Sequence, residues 1–222
     1  MEQTPIHDDY NPDLLAFLPP NLIRVVEVGS SSGALAGAYR AANPGCHYTG
    51  IEIEPAYADA SKRHCTRVIC GDIERLDDAT FDSLFPADCW IFGDALEHLY
   101  DPWSLLRRIR KRCGADLRIV ACVPNAQHWS LQAALNAGQF RYQPSGLLDR
   151  THIRWFTRIT LFELFASTGF RIVGGFPRIF DEPQRERILP AIRALAQAAG
   201  ADPQQAVDDA LPLQWVVMAA PV

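Results

Sequence analysis

The stretch Val25-Val26-Glu27-Val28-Gly29-Ser30-Ser31-Ser32-Gly33-Ala34-Leu35 passes from an apolar run with one acid into a Gly/Ser turn and out into a helix-like segment. Strand, glycine turn and helix in that order open the ligand site of an α/β sheet: the backbone can come close and the helix points its N-terminus at the ligand. The turn excludes two ligand classes. A phosphate-binding loop needs a Lys-Ser/Thr pair after its glycines, where this chain has Ala34-Leu35. A dinucleotide fingerprint needs glycines at 29, 31 and 34, where it has Gly29, Ser31 and Ala34. The loop is suited to a ligand without phosphates.

Outward from this stretch, short runs rich in Val and Ile recur at 24–28, 47–53, 67–70, 88–93, 117–123, 170–176 and 213–220. Runs of this kind are strands buried on both faces of a mostly parallel sheet. Between them the pattern predicts helices at 12–18, 33–42, 55–63, 102–112, 158–168 and 184–199, with Pro12 after Asn11 and Pro102 after Asp101 marking first turns. The alternation predicts a doubly wound α/β fold and one domain over 1–222. Residues 124–157 are too long for a plain connection and predict a functional insertion or lid on the substrate side.

The chain of 222 residues is 48% apolar, enough for a large core, and its net charge of -5 argues against a general nucleic-acid binder. Six cysteines, at 46, 65, 70, 89, 113 and 122, show no C-x-x-C spacing and read as reduced thiols of a cytoplasmic protein. The N-terminal stretch is polar (Glu2, Asp8, Asp9), and no apolar run reaches the roughly 20 residues of a membrane span.

At the end of the second predicted strand stands Glu52, whose carboxylate can accept from two ribose hydroxyls. The third ends in Cys70-Gly71-Asp72-Ile73, an acceptor for an adenine amino group beside an apolar surface for its ring. Turn, acid and second acid at the ends of consecutive strands describe an adenosine site.

Glu27-Val28-Gly29-Ser30-Ser31-Ser32-Gly33, Gly50-Ile51-Glu52, Gly71-Asp72-Ile73 and Asp94-Ala95-Leu96-Glu97-His98 resemble successive motifs of class I S-adenosylmethionine-dependent methyltransferases. Val123-Pro124-Asn125 and Thr151-His152-Ile153-Arg154-Trp155-Phe156-Thr157 resemble a small-molecule branch often linked to glycan, lipid or quinone modification. The resemblance implies a Rossmann-like sheet of seven strands with a reversed last strand, Leu213 to Ala220, and S-adenosylmethionine as cofactor. It also implies that Glu27 and Gly29 meet the methionine end within a turn completed by Ser30, Ser31 and Gly33. Glu52 then meets the ribose, Ile53 and Ile73 the adenine faces, Asp72 its amino group, and Asp94 lies beside the cofactor. The family commonly has glycine at the place of Ser31, and a serine is tolerable there if its backbone keeps a negative φ.

The strand at 88–93 delivers Asp94, Glu97 and His98 to one edge, and in a helical turn these three share a face. Methyl transfer needs the acceptor held against the sulfonium carbon, and a hydroxyl acceptor must also lose a proton. His98 is the candidate base, with His152 from the insertion facing the acceptor. The other reading of both is structural: His98 and Glu97 brace their turn, and Asp149, Arg150 and His152 tie down the lid while Thr157 caps the next helix. His128, Trp129, Gln139, Arg141, Tyr142, Arg150, Arg154 and Trp155 are further candidates for the acceptor pocket, whereas Phe156, Phe162 and Phe165 read as core. The expected acceptor is a small-molecule hydroxyl, a sugar or sugar-linked metabolite first, with no nucleic acid and no metal. Two rivals stay open. Asp94, Glu97, His98 and His152 resemble the metal site of RNA 3′-end 2′-O-methyltransferases, and a cofactor-binding regulator without activity is the other.

Overall fold

The computed structural model describes residues 8–222; Glu2 lies outside them. The elements follow in the order α1 (Pro12–Phe17), β1 (Arg24–Val28), α2 (Ala34–Ala42), β2 (His47–Glu52), α3 (Pro55–Ser61), β3 (Arg67–Cys70), α4 (Asp78–Asp82) and β4 (Cys89–Gly93). The second half continues with α5 (Pro102–Arg110), β5 (Arg118–Pro124), α6 (Trp129–Asn136), α7 (Arg158–Ser167), β6 (Phe170–Arg178), α8 (Leu189–Ala198), α9 (Pro203–Ala210) and β7 (Gln214–Pro221). The seven strands form one sheet in the order β3-β2-β1-β4-β5-β7-β6, with β7 antiparallel to both of its neighbours. This is the Rossmann-like sheet of seven strands with a reversed last strand that the resemblance implies.

Each central strand is buried on both faces, so successive residues feed two cores. Val26, Trp90, Phe92, Ile119 and Ala121 face one layer, packing with Leu106 and Ile109 of α5 and Leu161 and Phe165 of α7. Val25, Ile91, Val120 and Cys122 face the other, with Leu14 of α1 and Leu35 and Tyr39 of α2. Truncating a fully buried residue such as Phe92 to alanine costs about 3–5 kcal/mol. Helix starts follow the expected chemistry: Asn11 caps α1 and Asp101 caps α5 ahead of Pro12 and Pro102, and Thr157 forms a capping box with Thr160 on α7.

Three helices lie where the pattern predicted none. α4 is a single turn and α6 sits inside the insertion. α9 opens on Asp202-Pro203, a start signal the strand–helix alternation had no place for. Phe156 and Phe165 are core, but Phe162 is on the surface, 36% exposed, with the Arg158 guanidinium near its ring. Four cysteines (46, 65, 89, 122) are buried, Cys113 is intermediate and Cys70 exposed; all six are free thiols. Among the described residues no helix is long and apolar enough to cross a membrane.

Candidate active site

The carboxyl ends of β1, β2, β3 and β4 open into a cavity of about 750 Å³. Every residue expected around the cofactor lines it except Gly33: Glu27, Gly29, Ser30, Ser31, Glu52, Ile53, Asp72, Ile73 and Asp94. Gly33 stands just behind, as the N-cap of α2.

The loop after β1 is shaped by three left-handed residues, Gly29 (φ 74), Ser31 (φ 46) and Gly33 (φ 79). Ser31 does not keep the negative φ on which its tolerance was made to depend. Its conformation is held by a hydrogen bond: the Ser31 N–H donates to Glu52 Oε2 at 2.8 Å. Gly29 and Ser30 donate to the Ile51 carbonyl at 2.9 and 3.2 Å, which pins the loop across the end of β2. At Gly33 only glycine fits twice over: φ is positive, and a Cβ would lie 3.1 Å from the Ser61 Cα.

The acids of the cavity differ in environment. Glu27 is buried and accepts from the Tyr48 hydroxyl at 2.9 Å. Burial pushes its carboxyl up to about 8; the Tyr48 bond works against this and the nearby Glu52 charge adds to it. Glu52 accepts the Ser31 and Glu54 N–H groups, one on each oxygen. Asp72 accepts the Glu74 N–H at 2.9 Å and lies 3.3 Å from the Arg75 guanidinium. Asp94 has φ 56 and accepts from the Gln214 side chain, 120 residues away. Burial raises Asp94 to about 6, against the pull of Arg178 and Gln214.

At the other end of the cavity, Glu97 and His98 sit on a 3-10 turn, Leu96–His98, and His152 reaches in from the insertion. Glu97 Oε1 lies 3.9 Å from His152 Nε2, and the two imidazole centroids are 4.8 Å apart. Asp94 does not join them: the positive φ and the Gln214 contact turn it aside, so the shared face expected for Asp94, Glu97 and His98 holds for the last two alone. Burial drives Glu97 well above the usual carboxylate range, and the Asp94 charge adds to the shift. Burial also lowers both histidines, so both rings favour the neutral form.

The insertion is anchored here by the Ile153 and Arg154 N–H groups, both donating to the Glu97 carbonyl at 2.9 Å. Of its candidate pocket residues only His152 lines the cavity, together with Ser145, Gly146, Leu147, Asp149, Thr151 and Ile153. His128 and Trp129 turn instead to Glu182, at 3.2 and 2.9 Å. Gln139 and Arg141 line a separate depression, Arg154 bonds the Tyr100 carbonyl, and Trp155 packs against Phe140. Tyr10, Asn11 and Gln214 line the cavity from segments distant from the strand-end motifs, and Tyr100 lines it two residues beyond His98; none of the four was singled out for the site from the sequence.

Among the described residues no lysine or arginine lines the cavity, whereas eight acids do, Glu27, Glu52, Asp72, Asp94 and Glu97 among them. That lining fits a positively charged ligand without phosphates, as a sulfonium nucleoside is.

A family model described as a methyltransferase domain matches residues 6–174. No curated protein sequence matches the chain. Among solved structures, the chain is similar to the mitomycin 7-O-methyltransferase MmcR, with a TM-score of 0.58 and 16% identity over 94% of this chain and 52% of that one. It is similar to magnesium protoporphyrin IX methyltransferase (ChlM) from Synechocystis PCC 6803 with bound SAH, with a TM-score of 0.60 and 12% identity over 95% and 81% of the two chains. It is also similar to N,N-8-amino-8-demethyl-D-riboflavin dimethyltransferase (RosA) from Streptomyces davawensis, with a TM-score of 0.55 and 17% identity over 90% and 50%. The chain spans about half the length of MmcR and RosA.

Proposed function

The chain belongs to the methyltransferase-domain family, and on that premise we propose that it transfers a methyl group from S-adenosylmethionine to a hydroxyl of a small molecule, a sugar or sugar-linked metabolite first. When bound, S-adenosylmethionine supplies an electrophilic methyl carbon on a sulfonium. Glu27 and the turn of Gly29, Ser30, Ser31 and Gly33 would receive its methionine end, Glu52 its ribose, Ile53 and Ile73 its adenine faces, and Asp72 the adenine amino group. The acceptor would enter between Tyr10, Tyr100, Leu147 and His152, under residues 124–157 as its cover.

The observation that carries this reading is the pairing of an acidic, phosphate-averse cavity with two neutral imidazoles at one end. Methyl transfer is mainly positioning, and a hydroxyl adds one demand: its proton must be removed as the oxygen attacks. His98 and His152 offer unprotonated nitrogen for that. An RNA acceptor is disfavoured by the same lining, since a polyanion would meet carboxylates and no cation.

The test is transfer of labelled methyl to a panel of hydroxylated sugars and sugar conjugates, beside amine acceptors and single-stranded RNA at several salt concentrations. Label on a small hydroxyl is expected, and His98→Ala should slow it by roughly 10²–10⁴-fold with cofactor affinity nearly intact. Label found on amines or RNA alone would refute the acceptor class. Cofactor binding with no transfer to a cell-extract acceptor pool would favour a regulator.

A further inference from the structure

Three side chains from two distant segments converge at the acceptor end of the cavity: one donor atom each from Glu97, His98 and His152 lies within 4.8 Å of the other two. The imidazole orientations are informative. His98 Nδ1 faces the Thr151 carbonyl at 3.2 Å, and His152 Nδ1 faces the Leu147 carbonyl at 3.2 Å. A carbonyl only accepts, so each Nδ1 carries the proton, and each ring keeps a bare lone pair on Nε2. A ring N–H fixed by a backbone carbonyl while the other nitrogen is left free is how metal-ligating histidines are held.

Glu97 sharpens the case. Its side chain is buried, the residue 1% exposed, and neither carboxylate oxygen has a hydrogen-bond partner among the described residues. His152 Nε2, at 3.9 Å from Oε1, is beyond hydrogen-bond range and in this tautomer is itself an acceptor. Buried polar groups are nearly always paired, and an unpaired buried carboxylate is among the costliest exceptions. Here three acceptors face one another without a donor. A proton on Glu97 could serve one imidazole and would leave the other bare, whereas one cation serves all three.

We propose that Glu97, His98 and His152 form a binding site for a divalent transition-metal ion, with its remaining coordination positions open to the cavity and to an acceptor oxygen. Two imidazoles and one carboxylate suit manganese, iron, cobalt, nickel or zinc over magnesium and calcium, which favour all-oxygen sets. This departs from the metal-free histidine base expected from the sequence, and from a four-ligand set that includes Asp94, which Gln214 holds aside. A bound ion would take over the work of a base by holding an acceptor hydroxyl and lowering its pKa, the proton leaving to solvent. The link to the acceptor rests on the methyltransferase reading above; cation binding does not.

The full chain, stripped with a chelator, should take up one equivalent of Co²⁺ with the visible absorption bands of imidazole coordination, and Zn²⁺ should raise its Tm. Affinity should fall by about tenfold or more in His152→Ala and in the near-isosteric Glu97→Gln, and stay unchanged in His47→Ala on the surface. Circular dichroism and S-adenosylhomocysteine affinity establish that the variants fold, and the wild-type Co²⁺ spectrum needs no variant. The inference is overturned if Mn²⁺, Co²⁺ and Zn²⁺ all fail to bind stoichiometrically, or if binding survives both Glu97→Gln and His152→Ala. Undiminished methyl transfer by stripped protein that binds no cation would remove the site and leave the methyltransferase reading standing.

Discussion

The backbone N–H of Ser31 donates to Glu52 Oε2 at 2.8 Å, so the acid that ends β2 holds the loop that follows β1. The Glu54 N–H occupies Oε1 at 3.0 Å. Each oxygen keeps a further lone pair for a ribose hydroxyl, and one carboxylate would thereby serve both loop and ligand. Glu52→Ala should weaken S-adenosylhomocysteine binding by roughly 1.5–3 kcal/mol, about 10- to 150-fold in Kd, and lower the Tm of the free protein. Calorimetry reads the first and thermal melting the second. An unchanged Kd would remove Glu52 from the ribose site.

Ser31 stands at φ 46, where an L-residue costs about 1–2 kcal/mol and glycine almost nothing. The extra freedom of glycine in the unfolded chain returns about 0.4–1 kcal/mol of that. Ser31→Gly should therefore stabilise modestly, raising Tm by about 1–4 °C. Gly33→Ala combines positive φ with a Cβ against Ser61 and should destabilise by about 1–3 kcal/mol. Melts of the two variants should move in opposite directions; movement in the same direction would contradict the loop geometry.

Glu27 gives the free protein a definite pH dependence. Its folded carboxyl sits at about 8, above the 4.5 of the unfolded chain, so between these values the folded state holds a proton the unfolded state releases. Its contribution is fully present below about 4.5 and is lost as pH rises to about 8. Glu27→Gln should flatten this fall. An ammonium group docked beside Glu27 favours its carboxylate, so S-adenosylhomocysteine should release on the order of one proton on binding near pH 7. Calorimetry in buffers of different ionisation enthalpy measures it, and zero release in wild type would place the ammonium elsewhere.

The insertion should exchange its amides in two classes. Residues 138–146 are exposed almost throughout and should exchange fast, whereas Ile153 and Arg154 are bonded to the Glu97 carbonyl and should exchange slowly. Ser145, Gly146 and Leu147 line the cavity, so a bound acceptor should slow exchange there. If 145–147 respond to no ligand that is turned over, residues 124–157 are not the acceptor's cover.

Much of this was legible locally. All seven strands could be read within a few residues of their bounds; in the central ones burial on both faces leaves unbroken runs such as Arg118–Pro124, whereas the edge strands β3 and β6 are less buried. The convergence of the strand-end acids on one cavity was legible for a related reason. In a parallel sheet the strands end at one edge, so Glu27, Glu52, Asp72 and Asp94 need only follow their own strands to meet in one cavity. α9 was missed although Asp202-Pro203 announces it, and α6 lies inside the segment read as a functional insertion or lid, for which no helix was predicted.

What the sequence determined by itself is the order of strands and helices, the turn that excludes phosphates and the acids at the strand ends, since dihedral preference and burial pattern are properties of neighbouring residues. Only the tertiary structure decided which way each acid is used. Gln214 and Arg178, far along the chain, draw Asp94 out of the group it shares in sequence, and burial protonates Glu27 against the opposing pull of the Tyr48 hydroxyl. The meeting of Glu97, His98 and His152 is likewise tertiary: it depends on the Ile153 and Arg154 amides pairing with the Glu97 carbonyl, a contact between segments whose separation in sequence carries no record of their distance in space.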